Sequence, residues 1–157
     1  MKRRRSDQPR NERVPAPARS ELPHAARISL PSKTVLVVDD EPMVRDLLTE
    51  VLRLQGYNVL AVASAAEALR VAASTATIHL LITDLMMPEV DGLELTRRFR
   101  AMRPNIPVLM VSGSLPLLHA RSEPDLERFD FLAKPFQLNE LLQKVRELLE
   151  VPISLTT

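Results

Sequence analysis

A doubly wound parallel α/β fold is the class that the sequence predicts, and three observations predict it. Five short apolar segments rich in Val, Ile and Leu have the character of strands buried on both faces. Segments with helical spacing separate them, and this alternation implies crossovers that place helices on both faces of a parallel sheet. The 157 residues are 45% hydrophobic and 26% charged, which supplies the core of one ordinary domain.

Continuous apolar runs define the predicted strands. Pro107 is compatible with this interpretation because it stands at the first residue of its strand. His79 lies in the third run, where we expect a core histidine whose hydrogen bonds are satisfied. The five predicted strands are 34–38, 58–63, 78–83, 107–111 and 129–133.

Terminal signals define the predicted helices. Pro42 opens the first helix at a position where its missing N–H costs nothing, and Gly56 ends it. Ser64 with Glu67 forms a capping box for the second helix. The five predicted helices are 42–54, 65–73, 92–102, a short irregular helix within 112–128, and 137–150.

The first 32 residues differ from the rest in composition. They carry eight Lys/Arg against three Asp/Glu, and five of the thirteen prolines. A segment of this kind buries too little apolar surface to offset its conformational entropy. We therefore predict a disordered basic arm over 1–32, a domain over 33–150 and a short tail over 151–157.

Several classes of protein are excluded by what the sequence lacks. Without cysteine there is no disulfide framework, thiolate metal site or cysteine nucleophile. No run approaches the ~18 apolar residues of a membrane span, and no apolar segment follows the basic amino terminus as in a secretory signal. Neither a P-loop nor a G-x-G-x-x-G pattern is present. We expect a cytoplasmic protein that does not bind nucleotides through those loops.

Reactive side chains follow the predicted strands at the point where each strand ends. Asp39 and Asp40 come after the first strand, Asp84 after the third, Ser112 after the fourth and Lys134 after the fifth. Function in a doubly wound sheet lies at the carboxyl ends of the strands. Any one of the acids could be only a helix N-cap. Clustered carboxylates are suitable ligands for Mg²⁺, and a carboxylate can also act as a nucleophile. A lysine can pair with phosphate. The combination of these residues predicts a phosphoryl-transfer site.

Four stretches in this order resemble the receiver domain of two-component response regulators. They are VLVVDDEP (35–42), LLITDLMMPEVDGLEL (80–95), VLMVSG (108–113) and FLAKPF (131–136). The resemblance covers residues 34 to about 149. It implies a flavodoxin-like five-stranded parallel sheet of order 2-1-3-4-5 with five helices.

The resemblance also implies a role for each matching residue at the metal site. Asp84 matches the phosphoacceptor, which also contacts the metal. Asp40 matches a direct Mg²⁺ ligand and Asp39 one that acts through water, while Met86 would offer its backbone carbonyl. Mg²⁺ is the implied cofactor, and Mn²⁺ is an acceptable substitute.

A second group of matches concerns phosphate binding and signalling. Lys134 matches the lysine that pairs with the phosphate, and the Lys134–Pro135 peptide is expected to be cis. Ser112 matches the hydroxyl residue that bonds the phosphoryl group and moves on activation. Phe131 matches the aromatic switch position, where a side chain without a hydroxyl leaves only a packing switch.

The implied partner is a histidine kinase or a histidine phosphotransfer protein, which donates a phosphoryl group to Asp84. Because few residues follow position 150, we expect output through contact with another protein, at the fourth helix, the fifth strand and the last helix. A homodimer through these elements is a further expectation. The chain is expected to be a phosphoacceptor with at most self-catalysed phosphorylation and slow autodephosphorylation, since Met86 and Ser114 do not position water strongly.

Three alternatives stay open at this point. The chain could be the receiver module of a hybrid histidine kinase or of a phosphorelay. It could be a nucleic-acid-binding regulator that acts through the basic arm, which begins with Lys2-Arg3-Arg4-Arg5. It could also be an interaction scaffold that is never phosphorylated. No membrane partner is indicated.

Overall fold

The computed structural model describes residues 32–74, 77–113 and 129–150. Its strands are β1 (Thr34–Val38), β2 (Asn58–Val62), β3 (Leu80–Asp84), β4 (Val108–Ser112) and β5 (Asp130–Ala133). Its helices are α1 (Pro42–Leu54), α2 (Ala65–Ser74), α3 (Gly92–Met102) and α4 (Leu138–Glu150). The predicted arm up to residue 31, the tail 151–157 and the predicted helix within 112–128, from residue 114 onward, lie outside the described residues.

The five strands form one parallel sheet of order β2-β1-β3-β4-β5, which confirms the predicted topology. β1 lies between β2 and β3, and its last residue Val38 pairs with both Val62 and Thr83. β3 continues to Asp84, which pairs with Val111 of β4. The carboxyl ends of β1, β3, β4 and β5 therefore meet at one edge of the sheet.

Apolar residues on the two faces of the sheet form two separate core clusters. On one face, Val35 and Val37 of β1 pack with residues of α1 and α4. On the other face, Leu36 and Val38 pack with residues of α2 and α3. Successive side chains of a strand point to opposite faces, so a strand covered by helices on both faces must be apolar throughout. The continuous apolar runs in the sequence have this origin.

The predicted boundaries differ from the observed ones by one or two residues. β3 begins at Leu80 rather than at 78 because the imidazole Nδ1 of His79 accepts the backbone N–H of Thr34 at 2.9 Å, where a strand would use a carbonyl. Ser112 is the last residue of β4 rather than the residue after it. The capping interaction of α2 is present: Ser64 Oγ accepts from the backbone N–H of Glu67 at 3.3 Å.

Within the three described ranges, no helix is both long and apolar enough to cross a bilayer.

Candidate functional site

Three aspartates converge at the carboxyl edge of the sheet. Asp84 is the last residue of β3, and Asp39 and Asp40 follow β1 directly. A carboxylate oxygen of each lies within 4.8 Å of those of the other two. Asp39 and Asp84 are buried, whereas Asp40 is half-buried at the rim. The edge therefore presents a compact group of oxygen ligands that is open to solvent on one side.

Lys134 joins the two buried aspartates. It follows β5, and its Nζ donates to Asp39 Oδ2 at 3.2 Å and to Asp84 Oδ2 at 3.1 Å. The Lys134–Pro135 peptide is cis, as the family resemblance implied. One ammonium charge thus faces two buried carboxylates, with a third carboxylate close by.

Backbone N–H groups hold the second oxygen of each buried carboxylate. The N–H of Glu41 donates to Asp39 Oδ1 at 2.9 Å, and the N–H of Met86 donates to Asp84 Oδ1 at 3.0 Å. Each carboxylate is therefore bonded at one oxygen by the loop that follows its own strand and at the other by Lys134. This arrangement fixes the direction of both carboxylate planes.

Electrostatics at this edge are governed by burial and by the lysine. Burial raises the pKa of Asp39 above its ordinary value, although the N–H of Glu41 and the charge of Lys134 oppose the rise. Burial alone would lower the pKa of Lys134, but the hydrogen bond of Asp84 and the charges of Asp39 and Asp84 raise it. The two aspartates therefore favour the charged form of Lys134, while burial disfavours the charged form of Asp39.

The donor set fits a hard divalent cation. Mg²⁺ takes oxygen ligands and is usually bound by one or two carboxylates together with waters or phosphate oxygens. Asp39, Asp40 and Asp84 supply clustered carboxylate oxygens. Burial raises the pKa of Asp39 and so disfavours its charged form, an effect that a bound cation would offset. The side chain of Met86 is exposed, while its backbone belongs to the loop that holds Asp84.

The two residues predicted to act as a switch lie on the neighbouring strands β4 and β5. Ser112 is buried at the end of β4, next to Ala133 of β5. Phe131 pairs with Met110 and packs, partly buried, against the core cluster on the α2–α3 face. Their roles in a switch stay predictions.

Sequence reasoning missed two residues of the site. Gly92, at the start of α3, lies so close to the end of β3 that an added Cβ would collide with the backbone carbonyl of Asp84. Arg45 of α1 donates from Nη1 to the backbone carbonyl of Asp39 at 2.8 Å. In the sequence, Gly92 looks like the start of a helix, and Arg45 looks like an ordinary polar position of an amphipathic helix. Their contacts with Asp84 and Asp39 arise only from the packing of α3 and α1 against the strand ends, so no local signal indicates them.

The fold and the acidic edge define a class: a doubly wound α/β domain with an oxygen-rich, phosphate-compatible site at its switch edge. The family model described as response regulator receiver domain matches residues 35–146. The chain belongs to this family, and its body is a receiver domain, the phosphoacceptor module of two-component signalling.

Individual relatives agree with the family model. The chain is 39% identical over 120 residues to sensor kinase CckA of Brucella abortus, which covers 76% of this chain and 13% of that protein. It is 37% identical over 122 residues to regulatory protein VirG of Agrobacterium tumefaciens, covering 77% of this chain and 45% of that protein. A solved structure of a response regulator receiver protein from Sinorhizobium medicae superposes with a TM-score of 0.68 at 33% identity, covering 78% of this chain and 98% of the other. The chain thus spans less than half the length of either CckA or VirG.

Proposed function

We propose that Asp84 is the residue that accepts the phosphoryl group, and that its donor is a phosphohistidine on a histidine kinase or histidine phosphotransfer protein. The observation that carries this proposal is the position of Lys134, whose Nζ lies 3.1 Å from Asp84 Oδ2 and 3.2 Å from Asp39 Oδ2. A lysine in this place neutralises carboxylates before transfer and pairs with the phosphoryl oxygens afterwards.

The transfer step needs no reactant other than the Asp84 carboxylate and the phosphohistidine of the donor protein. A lone pair on an Asp84 carboxylate oxygen forms a bond to phosphorus, and the phosphorus–nitrogen bond to the donor imidazole breaks. The electron pair of that bond returns to the imidazole nitrogen, which leaves with the donor protein. The backbone N–H of Met86 keeps Asp84 Oδ1 in place. After the transfer, the ammonium of Lys134 pairs with the oxygens of the acyl phosphate.

Asp39, Asp40 and Asp84, with the backbone carbonyl of Met86, are the groups that would hold Mg²⁺, and Mn²⁺ has a similar preference for oxygen ligands. When bound, the cation supplies positive charge that offsets the clustered carboxylates and the oxygens of the transferred group. We propose that the chain is a phosphoacceptor that assists its own phosphorylation and loses the phosphoryl group slowly.

Signalling follows from a shift between two conformations. Ser112 bonds the phosphoryl group and moves toward it, and Phe131 then repacks, which favours a conformation that a partner protein recognises. We propose that the partner binds at β5, α4 and the segment preceding β5, and that a homodimer through the same elements is one form of this output. The proposed place of action is the cytoplasm.

Intact mass spectrometry tests the proposal. The chain is incubated with acetyl phosphate in the presence and in the absence of Mg²⁺, beside Asp84→Asn. Asp91→Asn is the matched control, because Asp91 lies in the loop that follows Asp84 and caps α3 by accepting the N–H of Glu94 at 2.8 Å. We expect one added phosphoryl group on wild type and Asp91→Asn with Mg²⁺, and none on Asp84→Asn. An adduct of equal yield on Asp84→Asn would overturn the assignment.

A second candidate is an intermediate of a phosphorelay, in which the chain passes its phosphoryl group to another histidine. The similarity to part of sensor kinase CckA favours it. Incubation of the phosphorylated chain with histidine phosphotransfer proteins separates the two candidates. Fast transfer to a phosphotransfer histidine supports the relay, and retention of the phosphoryl group in the presence of these proteins supports output by conformational change.

A further inference from the structure

Arg45 reaches from α1 back to the end of β1. Its Nη1 donates a hydrogen bond to the backbone carbonyl of Asp39 at 2.8 Å, and its own backbone N–H donates to the carbonyl of Glu41 at 3.0 Å. The side chain is half-buried. Arg45 therefore contacts the loop between β1 and α1 with both its main chain and its side chain.

The carbonyl that Arg45 binds belongs to the peptide that joins Asp39 to Asp40. A peptide unit is planar, so fixing the direction of its carbonyl fixes the plane between the two Cα atoms. We infer that Arg45 is a positioning residue for the divalent cation: it orients this peptide so that the carboxylates of Asp39 and Asp40 converge. The inference rests on the function proposed above, in which these two residues hold Mg²⁺.

The other polar atoms of Asp39 are already bonded to different elements. Its backbone N–H donates to the carbonyl of Val62 at 3.3 Å, and its two carboxylate oxygens accept from the N–H of Glu41 and the ammonium of Lys134. Arg45 provides the bond to the carbonyl oxygen. Without it the peptide that leads to Asp40 has one restraint fewer, and Asp40 lies at the less buried rim of the site.

Charge and orientation predict opposite effects of removing Arg45. A guanidinium near the site repels a divalent cation, so its removal would tighten Mg²⁺ binding if charge were its main effect. If Arg45 acts by orienting the ligands, its removal weakens binding, as with other residues that hold metal ligands in place. The sign of the change in dissociation constant therefore distinguishes the two.

Isothermal titration calorimetry of Mg²⁺ into the unphosphorylated full chain measures this directly. Arg45→Met is expected to raise the dissociation constant about tenfold. Arg45→Lys is expected to lie between Arg45→Met and wild type, because an ammonium on a shorter side chain can still donate one hydrogen bond. Arg53→Met removes an arginine from the exposed end of the same helix and is expected to leave the dissociation constant unchanged.

Phosphorylation kinetics give a second readout. The Mg²⁺ concentration that gives half the maximal rate with acetyl phosphate should rise in Arg45→Met by the same factor as the dissociation constant. The rate at saturating Mg²⁺ should stay at the wild-type value, because Arg45 does not contact Asp84. A variant that was merely unstable would instead lose rate at every Mg²⁺ concentration.

Four results would overturn the positioning role of Arg45. Wild-type or tighter Mg²⁺ binding by Arg45→Met would overturn the role of Arg45 and leave the phosphorylation of Asp84 standing. Equal weakening by Arg53→Met would overturn it as well, since the effect would then not depend on the hydrogen bond to the carbonyl of Asp39. If Arg45→Met does not fold, Arg45→Gln replaces it, and wild-type or tighter binding by Arg45→Gln has the same meaning. Failure of the wild-type chain to bind Mg²⁺ would overturn both this inference and the proposed metal site.

Discussion

At the amino end of the sheet, the imidazole Nδ1 of His79 accepts the backbone N–H of Thr34, and burial lowers the pKa of the ring. At the carboxyl end, Asp39 and Asp84 share the ammonium of Lys134, and burial raises the pKa of Asp39. Burial favours the neutral form of both titratable groups. The bond at the amino end requires a neutral imidazole, because Nδ1 is the hydrogen-bond acceptor in it. The carboxyl end requires charged carboxylates to hold the Mg²⁺ that we propose binds there.

The difference shows how a single sheet combines a stable end with a reactive end. Where burial and hydrogen bonding favour the same protonation state, the polar group contributes to folding. Where they oppose each other, the group depends on an outside partner, and such opposition is typical of functional sites. Substitutions at the two ends should therefore differ in their dependence on Mg²⁺ and on pH.

The largest expected effect is that of Lys134→Met. Asp39 and Asp84 have side chains only 1% and 7% exposed, and the lysine is 19% exposed. Its loss leaves two buried carboxylates without a counter-charge, so the free energy of unfolding should fall by about 2–4 kcal/mol without Mg²⁺. Chemical denaturation with and without saturating Mg²⁺ measures this, and the cation should recover a large part of the loss. A loss that Mg²⁺ does not reduce would contradict the proposed site.

A smaller effect is expected of Gly92→Ala. The added methyl group meets the backbone carbonyl of Asp84, so α3 or the end of β3 must move, and overpacking of this kind costs about 1–3 kcal/mol. The phosphorylation rate should fall as well, because the moved backbone carries Asp84.

Gly113→Ala is the matched control for that substitution. A Cβ at Gly113 would lie 3.6 Å from Lys134 Cβ, an ordinary contact. Stability and phosphorylation rate should therefore stay close to wild type. Equal losses in the two variants would show that the close approach of Gly92 to Asp84 has no special importance.

The smallest effect is expected at the amino end. Burial, with the charge of Lys33, lowers the pKa of His79 below its ordinary value of 6.5. The unfolded chain then binds a proton first, so stability falls as the pH drops below 6.5 and levels off below the folded pKa. His79→Asn keeps an acceptor for Thr34 and His79→Ala does not, and both should lose this pH dependence. His79→Ala should be about 1 kcal/mol less stable than His79→Asn at every pH. Denaturation curves of the three proteins on both sides of pH 6.5 test this, and parallel pH profiles would contradict it.

The fold was predictable because its signals are local. Apolar runs such as 34–38 and helix starts such as Pro42 lie within a few neighbouring residues, and the positions of Asp39, Asp84 and Lys134 follow directly from the strand ends. The strand order came from the family resemblance, since alternation of strands and helices alone does not specify it.

The contacts of Arg45 and Gly92 were not predictable in this way. Both depend on how closely a helix approaches the end of a strand, which is a property of the packed molecule. The start of β3 was misplaced for a related reason, because the side chain of His79 takes over a backbone hydrogen bond of Thr34. Side chains that replace or fix backbone groups leave no periodic trace in a sequence.

The proposal that Asp84 accepts the phosphoryl group is tested by identifying the residue that carries this group. After incubation with acetyl phosphate and Mg²⁺, borohydride reduces an aspartyl phosphate to homoserine, and tandem mass spectrometry of the peptides identifies the reduced residue. We expect homoserine at position 84, dependent on Mg²⁺ and absent from Asp84→Asn. Homoserine at Asp39 or Asp40, or a phosphoryl group on a residue away from this edge of the sheet, would contradict it.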